Sequence, residues 1–186
     1  MEKMKNALTR SAVLGIALGT FGLTSTAFAA EQTTAEVTFD SGGLNIENHS
    51  KNINFGTHKI DSQEHVYPEV NTQGKEQNSS LTIKDYRGDF SIGWTLTAQL
   101  QKASTNGLEI SLTPQGPDYV TFPQNKTLSV DEQTIAQVQK DKMPSEKLDT
   151  TFNLNAKLHV PAGSHLIHQT YTQTIVWNLE VTPTAK

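Results

Sequence analysis

Two pairs of side chains in this sequence have types and spacings that could do chemistry. His165 and His168 could supply two metal ligands if their segment were helical. They lie in a predicted loop with no carboxylate nearby, so we predict solvated histidines and no metal site. Asp85 and Asp89 could act as the paired carboxylates of a hydrolase. Because they flank Gly88, we predict instead that they stabilise a turn. Glycine-rich phosphate or dinucleotide motifs and a serine nucleophile elbow are absent, so the sequence predicts no enzyme and no cofactor.

The two tryptophans are the other candidates. Each stands two residues before a leucine, in Trp94-Thr95-Leu96 and in Trp177-Asn178-Leu179. An exposed indole ring could form a platform for a sugar or a peptide. A buried ring would instead supply a large part of the core. Alternation favours the core, because both rings fall on the apolar side of their segments, and it leaves the platform open as the alternative.

The segments that carry these tryptophans alternate with a period of two residues. In Tyr171–Pro183, five of six residues on the tryptophan side are apolar, and the exception is Gln173. Ser91–Leu100 shows the same alternation. This pattern is typical of half-buried strands. Pro183 lacks a backbone donor and ends the second of them.

The rest of the chain predicts an all-β, single antiparallel β-sandwich-like domain. Ile53 and Phe55 predict one strand, and alternation over 152–160 predicts another. Asn106-Gly107 predicts a hairpin between the first tryptophan strand and Leu108–Leu112. Residues 129–138 fit a capped helical turn or a short strand about equally well.

Residues 1–30 predict a cleaved secretory signal, with a basic start, an apolar run and a small-residue cleavage site. The predicted domain then occupies residues 31–186, with no further membrane-spanning stretch, no cysteine and no C-terminal sorting signal. Residues 1–30 hold three basic residues and one acidic residue, so 12 basic and 18 acidic side chains remain, a formal charge of −6. This charge argues against nucleic acid as a partner and against simple ionic adhesion to anionic polymers.

With these motifs in place, the sequence resembles the WxL cell-surface proteins of Gram-positive bacteria. The resemblance is carried by Asp85-Tyr86-Arg87-Gly88 leading into Gly93-Trp94-Thr95-Leu96, by Val160-Pro161-Ala162-Gly163, and by the distal Tyr171–Pro183 stretch. It extends over nearly the whole chain after residue 30. The resemblance implies a β-rich fold and non-covalent attachment to peptidoglycan.

We therefore predict a secreted, non-catalytic protein associated with the cell wall, with peptidoglycan as its partner and other surface proteins as further partners. The alternative is a secreted adhesin for a host or bacterial surface protein. The motif and binding residues predicted are Trp94, Leu96, Tyr171, Trp177 and Leu179. If both rings are core, the ligand contacts lie on loops, and the predicted loop contacts are Tyr67, Tyr86, Arg87 and Tyr119.

Overall fold

The computed structural model describes residues 37–38, 42–48, 52–89, 91–104, 106–164 and 166–182. The predicted signal segment 1–30 lies outside these residues, as do Pro183 and two histidines, His49 and His165. The metal pair considered above therefore lies partly outside them. Backbone contacts divide the chain into Met1–Thr38 and Phe39–Lys186, and all elements below belong to the second unit.

The described residues form ten β-strands and no helix, and every strand pairing is antiparallel. This confirms the all-β antiparallel prediction. Three sheets have the strand orders β1-β3-β8, β10-β4-β7 and β2-β9-β5-β6. The strands are β1 (Gly43–Asn48), β2 (His65–Pro68), β3 (Ser80–Tyr86), β4 (Trp94–Leu100), β5 (Glu109–Leu112), β6 (Lys126–Thr127), β7 (Gln133–Val138), β8 (Asp149–Asn153), β9 (Ala156–Val160) and β10 (Ile175–Val181).

The alternation in sequence becomes alternation in burial. Along β4 every second side chain is buried, from Trp94 to Leu100, and the residues between them are half-buried. A strand places successive side chains on opposite faces, so one face of β4 belongs wholly to the core. Strands of all three sheets contribute to this core, including Leu81 of β3, Leu112 of β5 and Ile135 of β7.

The two tryptophan strands are direct neighbours. β4 lies between β10 and β7, and Leu179 of β10 stands opposite Leu96 of β4. In the same register Trp177 stands opposite Ala98, and Val181 opposite Trp94. Residues directly opposite each other share one face of a sheet, so both rings project from the same face. They are four residues apart along the strands, about 13 Å at the usual rise of an antiparallel strand.

The ambiguous segment is a strand, β7, and the helical alternative is wrong. Ser129 Oγ accepts a hydrogen bond from the Asp131 backbone N–H at 3.1 Å, which closes a turn before the strand. Glu132 does not cap a helix. Its Oε1 accepts hydrogen bonds from Thr97 Oγ1 and from Asn178 Nδ2, so it links the edge of β7 across β4 to β10.

The predicted hairpin is wrong in its pairing, although its turn exists. Asn106 and Gly107 have φ values of 58° and 71°, which suit a tight turn with left-handed residues. The flanking strands do not pair with each other: β4 belongs to the β10-β4-β7 sheet and β5 to the β2-β9-β5-β6 sheet. The turn carries the chain from one sheet to the next.

The single strand predicted over 152–160 is two strands. β8 pairs with β3, and β9 pairs with β2 and β5 in another sheet. The break falls at Asn155, whose φ of 45° interrupts the extended backbone. Its side chain donates a hydrogen bond to the Thr113 carbonyl at 2.8 Å, which holds the chain where it changes sheet.

The strand predicted at Ile53 and Phe55 is also absent from the ladders. Both side chains are half-buried and pack against the core. Their apolar pattern therefore reflects this packing and not pairing with another strand. This segment is anchored at Asn54, whose carbonyl accepts the Val70 N–H at 2.7 Å. Three strands were not predicted at all, β1, β2 and β6.

Gly93 permits the close approach of β4 and β7 just before Trp94. A β-carbon added at this position would stand 2.0 Å from the Val138 carbonyl oxygen. We expect Gly93→Ala to lower the free energy of unfolding by about 1–3 kcal/mol, as overpacking does elsewhere. Urea denaturation would measure this loss. Gln139→Ala, an exposed change beside the same contact, should stay within about 0.5 kcal/mol of wild type. Equal stability of the two variants would contradict the steric role of Gly93.

Candidate functional site

A cleft of about 930 Å³ opens beside the start of β10. We call it the uncharged cleft. Its described lining comes from the extended segment 52–55, the loop 70–77, the first residues of β5 with the loop before it, β9, and the segment that leads into β10. The lining residues are Asn52, Ile53, Asn54, Phe55, Val70, Asn71, Thr72, Gln77, Ser104, Leu108, Ile110, Leu158, Thr170, Tyr171, Thr172, Gln173, Thr174, Ile175 and Trp177.

The cleft combines an apolar base with two aromatic side chains. Ile110 of β5 and Leu158 of β9 form a cross-strand pair, and buried Leu108 adds to them. Trp177 and Tyr171 line the cleft and are both half-buried. Concave sites of roughly 300–1,000 Å³ with apolar linings and a few polar groups are typical of small-ligand binding.

Strand pairing and hydrogen bonds hold these aromatic residues in place. Trp177 lies on β10 with its backbone opposite Ala98 of β4. The Tyr171 hydroxyl accepts a hydrogen bond from the Ile167 N–H at 2.9 Å. The segment approaching β10 is tied to the end of β4 by the Gln101 N–H, which donates to the Thr174 carbonyl at 2.9 Å.

The 70–77 loop is fixed by a buried carboxylate behind it. Glu69 is fully buried and accepts hydrogen bonds from the Ser79 backbone N–H, the Ser79 hydroxyl and Gln77 Nε2. Asn71 Oδ1 accepts the Gln73 and Lys75 N–H groups, each at 3.0 Å. The loop is therefore ordered by its own polar groups.

Uncharged hydrogen-bonding groups line the cleft. None of the described residues that line it has a formal charge. Asn52 and Gln173 each carry an amide that has no hydrogen-bond partner among the residues the structure describes. A side-chain amide offers both donors and an acceptor. The cleft can thus bind a neutral polar ligand without an ionic contact.

A second cleft of about 530 Å³ adjoins the first and shares seven lining residues with it, Tyr171 among them. We call it the histidine cleft because His58, His65 and His168 line it, with Asp61 and Lys59. It differs from the uncharged cleft in its ionisable groups. Tyr67, one of the predicted loop contacts, also lines it.

The rings of the histidine cleft stack around Tyr67. Its ring centroid lies 3.5 Å from that of His58 and 5.4 Å from that of His65. Burial, followed by the negative charge of Asp61, raises the pKa of the Tyr67 hydroxyl above its usual value. The Gln63 backbone N–H, followed by His65, lowers the pKa of Asp61. Tyr67 is thus a neutral hydrogen-bonding group.

The other predicted site residues lie outside both clefts. Trp94 and Leu96 are fully buried in the core, and Leu179 is half-buried against it. Trp94 thus packs in the core, as the first alternative predicted, while Trp177 packs against the core and also lines a cleft. A platform role for Trp177 stays a prediction.

Tyr86 and Tyr119 use their hydroxyls within the domain. Tyr86 donates to Asp149 Oδ1 at 2.9 Å, and Tyr119 lies 3.1 Å from Thr150 Oγ1. Arg87 is occupied by Asp85, as described next. A role of Tyr86, Arg87 and Tyr119 as wall contacts stays a prediction, and these residues line neither cleft.

The two candidate carboxylates are engaged by their own turn, as predicted. Asp85 is 1% exposed, and its oxygens accept hydrogen bonds from Arg87 Nε at 2.8 Å and Nη2 at 2.5 Å. Arg87 Nη2 also donates to the Ile92 carbonyl. Asp89 Oδ1 accepts the backbone N–H and the hydroxyl of Ser91. The ion pair therefore connects the end of β3 to the residues before β4.

A comparison with protein-family models identifies the family of this chain. A family model described as WxL domain surface cell wall-binding matches residues 29–183. The chain belongs to the WxL domain family. The WxL family is a family of cell wall-binding surface domains and not a family of enzymes. The chain is therefore located at the cell surface. No curated protein matches it significantly.

Within the described part of this WxL domain, His, Asp and Glu side chains form no group of three that could hold a metal ion. Its described residues also include no helix with the length and hydrophobicity to cross a membrane.

Of the residues predicted from sequence, Tyr171, Trp177 and Tyr67 line the clefts of the WxL domain, and the amide groups that line the uncharged cleft were not predicted. One signal was present. Gln173 is the only polar residue on the tryptophan side of the distal strand pattern, and it lines the uncharged cleft. Asn52, Asn54 and the 70–77 loop gave no comparable signal, because polar residues in loops are ordinary.

Proposed function

We propose that this WxL domain attaches non-covalently to peptidoglycan through the uncharged cleft, without catalysis. Tyr171 and Trp177 contact the ligand, and Trp94, Leu96 and Leu179 hold the strands that place them. The observation that carries the proposal is an aromatic and amide-lined cleft at the distal tryptophan motif of a cell wall-binding domain.

Further features support the same proposal. Residues 1–30 act as a secretory signal, and the mature domain begins at about residue 31. Its formal charge of −6 disfavours ionic attraction to anionic wall polymers, so recognition by shape and neutral polar contacts is the better explanation. The candidate carboxylates Asp85 and Asp89 are occupied within their turn, which supports a role without catalysis. Other surface proteins are proposed as partners outside the cleft.

Co-sedimentation with protein-free Gram-positive sacculi tests this function. We expect the mature wild-type chain to pellet and Trp177→Ala to pellet at least about tenfold more weakly, the effect of losing about 1.4 kcal/mol of binding. Val176→Ala is the matched control. It lies on the same strand, faces away from the cleft and is 38% exposed, so its binding should equal that of wild type.

Circular dichroism of each variant must show the β-sheet spectrum and cooperative unfolding. Trp177→Leu serves as a second variant that keeps apolar bulk on β10. If folded Trp177 variants pellet like wild type, the cleft is not the attachment site. If the wild-type chain stays in the supernatant, direct wall binding fails, and the alternative of an adhesin for a surface protein replaces it.

A further inference from the structure

We infer that the uncharged cleft binds the N-acetylated glycan chain of the wall, and neither its charged peptide stems nor anionic wall polymers. The inference rests on the proposed attachment through this cleft and specifies which chemical part of the wall enters it. The described lining contains asparagine, glutamine, threonine, serine and apolar side chains, with no cation and no anion.

Charge excludes the ionic parts of the wall first. Peptide stems carry carboxylates and ammonium groups, and wall polymers carry phosphates or carboxylates. Moving such a group into a cleft without an opposite charge costs its hydration and returns no ion pair. A glycan of N-acetylhexosamine units carries hydroxyl, acetamido and ether groups, all neutral. The free-energy cost of removing water from these neutral groups can be offset by ordinary hydrogen bonds to the cleft.

The free polar groups of the cleft match an acetamido group. Such a group has one N–H donor and one carbonyl acceptor, and sugar hydroxyls can do both. Asn52 and Gln173 each present an amide with donors and an acceptor, unpartnered among the described residues. Gln77 Nε2 is bonded to Glu69, so its Oε1 remains as an acceptor towards the cleft.

The apolar parts match the remaining surface of a sugar. A pyranose ring has faces covered by C–H groups, and these faces pack on aromatic rings. Trp177 and Tyr171 supply such rings, above a base that includes Leu108, Ile110 and Leu158. The volume of about 930 Å³ lies within the range of ordinary ligand sites.

The adjoining histidine cleft differs from the uncharged cleft in having charged side chains in its lining. The charged side chains Lys59 and Asp61 line that cleft and not the uncharged one. Tyr171 lines both. A ligand with charged groups would find charged lining residues in the histidine cleft and none among the described lining residues of the uncharged cleft.

One digestion supplies both competitors for a test. Sacculi treated with an amidase that separates glycan from peptide give a glycan fraction and a free stem-peptide fraction. The cleavage leaves a lactyl carboxylate on each muramyl unit, and coupling this carboxylate to methylamine restores the neutral amide of the intact wall. Each is added to the mature chain before co-sedimentation with intact sacculi. We expect the glycan fraction to abolish pelleting and the peptide fraction to leave it unchanged. Oligomers of N-acetylglucosamine form a third arm, which asks whether a glycan from another source suffices.

A conservative variant isolates the amide contribution. Gln173→Leu keeps the size of the side chain and removes its hydrogen-bonding groups, so glycan binding should weaken by about tenfold in calorimetric titration. Gln99→Leu is the matched control, since Gln99 is half-buried on neighbouring β4 and lines neither cleft.

Binding should also change less than about twofold between low salt and 1 M salt, because the contacts involve no ion pair.

The outcomes separate this inference from the function on which it rests. Pelleting that is blocked by the peptide fraction and not by glycan overturns the inference and leaves wall attachment standing. A wild-type chain that does not pellet at all overturns both. A steep loss of binding with salt, or equal binding by Gln173→Leu and wild type, also contradicts a neutral glycan in this cleft.

Discussion

Trp94→Ala is expected to lower the free energy of unfolding by about 3–5 kcal/mol, the usual cost of truncating a buried tryptophan to alanine. The ring is fully buried. Its strand, β4, is hydrogen-bonded to β10 on one side and to β7 on the other. Domains of ordinary stability unfold with about 5–15 kcal/mol, so this loss removes a large share of the total. Urea denaturation followed by circular dichroism measures it without depending on tryptophan fluorescence.

Two further variants make that measurement specific. Trp177→Ala should cost less, because that ring is half-buried at a cleft. Trp94→Phe should also cost less than Trp94→Ala. It keeps an aromatic ring in the core and removes the indole N–H, which is buried without a hydrogen-bond partner among the described residues. Should Trp94→Ala leave too little folded protein to measure, Trp94→Phe still gives a value. A Trp94→Ala loss below that of Trp177→Ala would contradict the assignment of Trp94 to the core.

The parts of the fold that the sequence predicted well are those with one buried face. β4 and β10 alternate because the core takes every second side chain of each strand. Because of that requirement, apolar and polar residues alternate along the strand, so the pattern can be recognised without knowing the partner strand. The same logic made both tryptophans core candidates. It could not tell that β4 would be central and β10 at an edge, where Trp177 borders a cleft.

Pairing between strands was harder to predict, because it depends on residues far apart in the chain. Asn106 and Gly107 do form the tight turn that their types favour. A turn fixes the local path only, and here it leads into a different sheet. The break at Asn155 was hidden for a related reason. Leu154 and Ala156 on either side of it are both buried, so the alternation continues while the chain changes sheet.

The uncharged cleft could not be read from sequence, because its parts come from five separate segments. Asn52 to Phe55 looked like a strand because its apolar residues alternate, yet the alternation reflects packing against the core without a ladder. The cleft emerges only where that segment approaches the residues before β10. Gln173 was the one local clue, a polar residue where the pattern called for an apolar one.

The Asp85–Arg87 ion pair connects the end of β3 to the residues before β4, and breaking it is expected to cost about 3–5 kcal/mol. In Arg87→Ala the Asp85 carboxylate, 1% exposed, would lose both hydrogen bonds from its cation. The charge would then be buried without its cation, with the backbone N–H of residue 87 as a remaining donor, and the link to Ile92 before β4 would disappear as well. Thermal and urea unfolding should both show the loss, and wall binding should weaken only as far as the domain unfolds.

A double-mutant cycle decides whether the cost comes from the pair or from packing. The cycle compares Asp85→Leu, Arg87→Leu and their combination. The combined variant removes both charges, so it should be more stable than Arg87→Leu alone. Lys84→Ala serves as the control, because its pair with Glu47 has a similar length of 2.8 Å but side chains 33% and 48% exposed. Exposed pairs are worth about 0–1 kcal/mol, so Lys84→Ala should change little. If Arg87→Ala and Lys84→Ala cost the same, burial of Asp85 is not what makes this turn important, and the connection from β3 to Trp94 depends on the backbone alone.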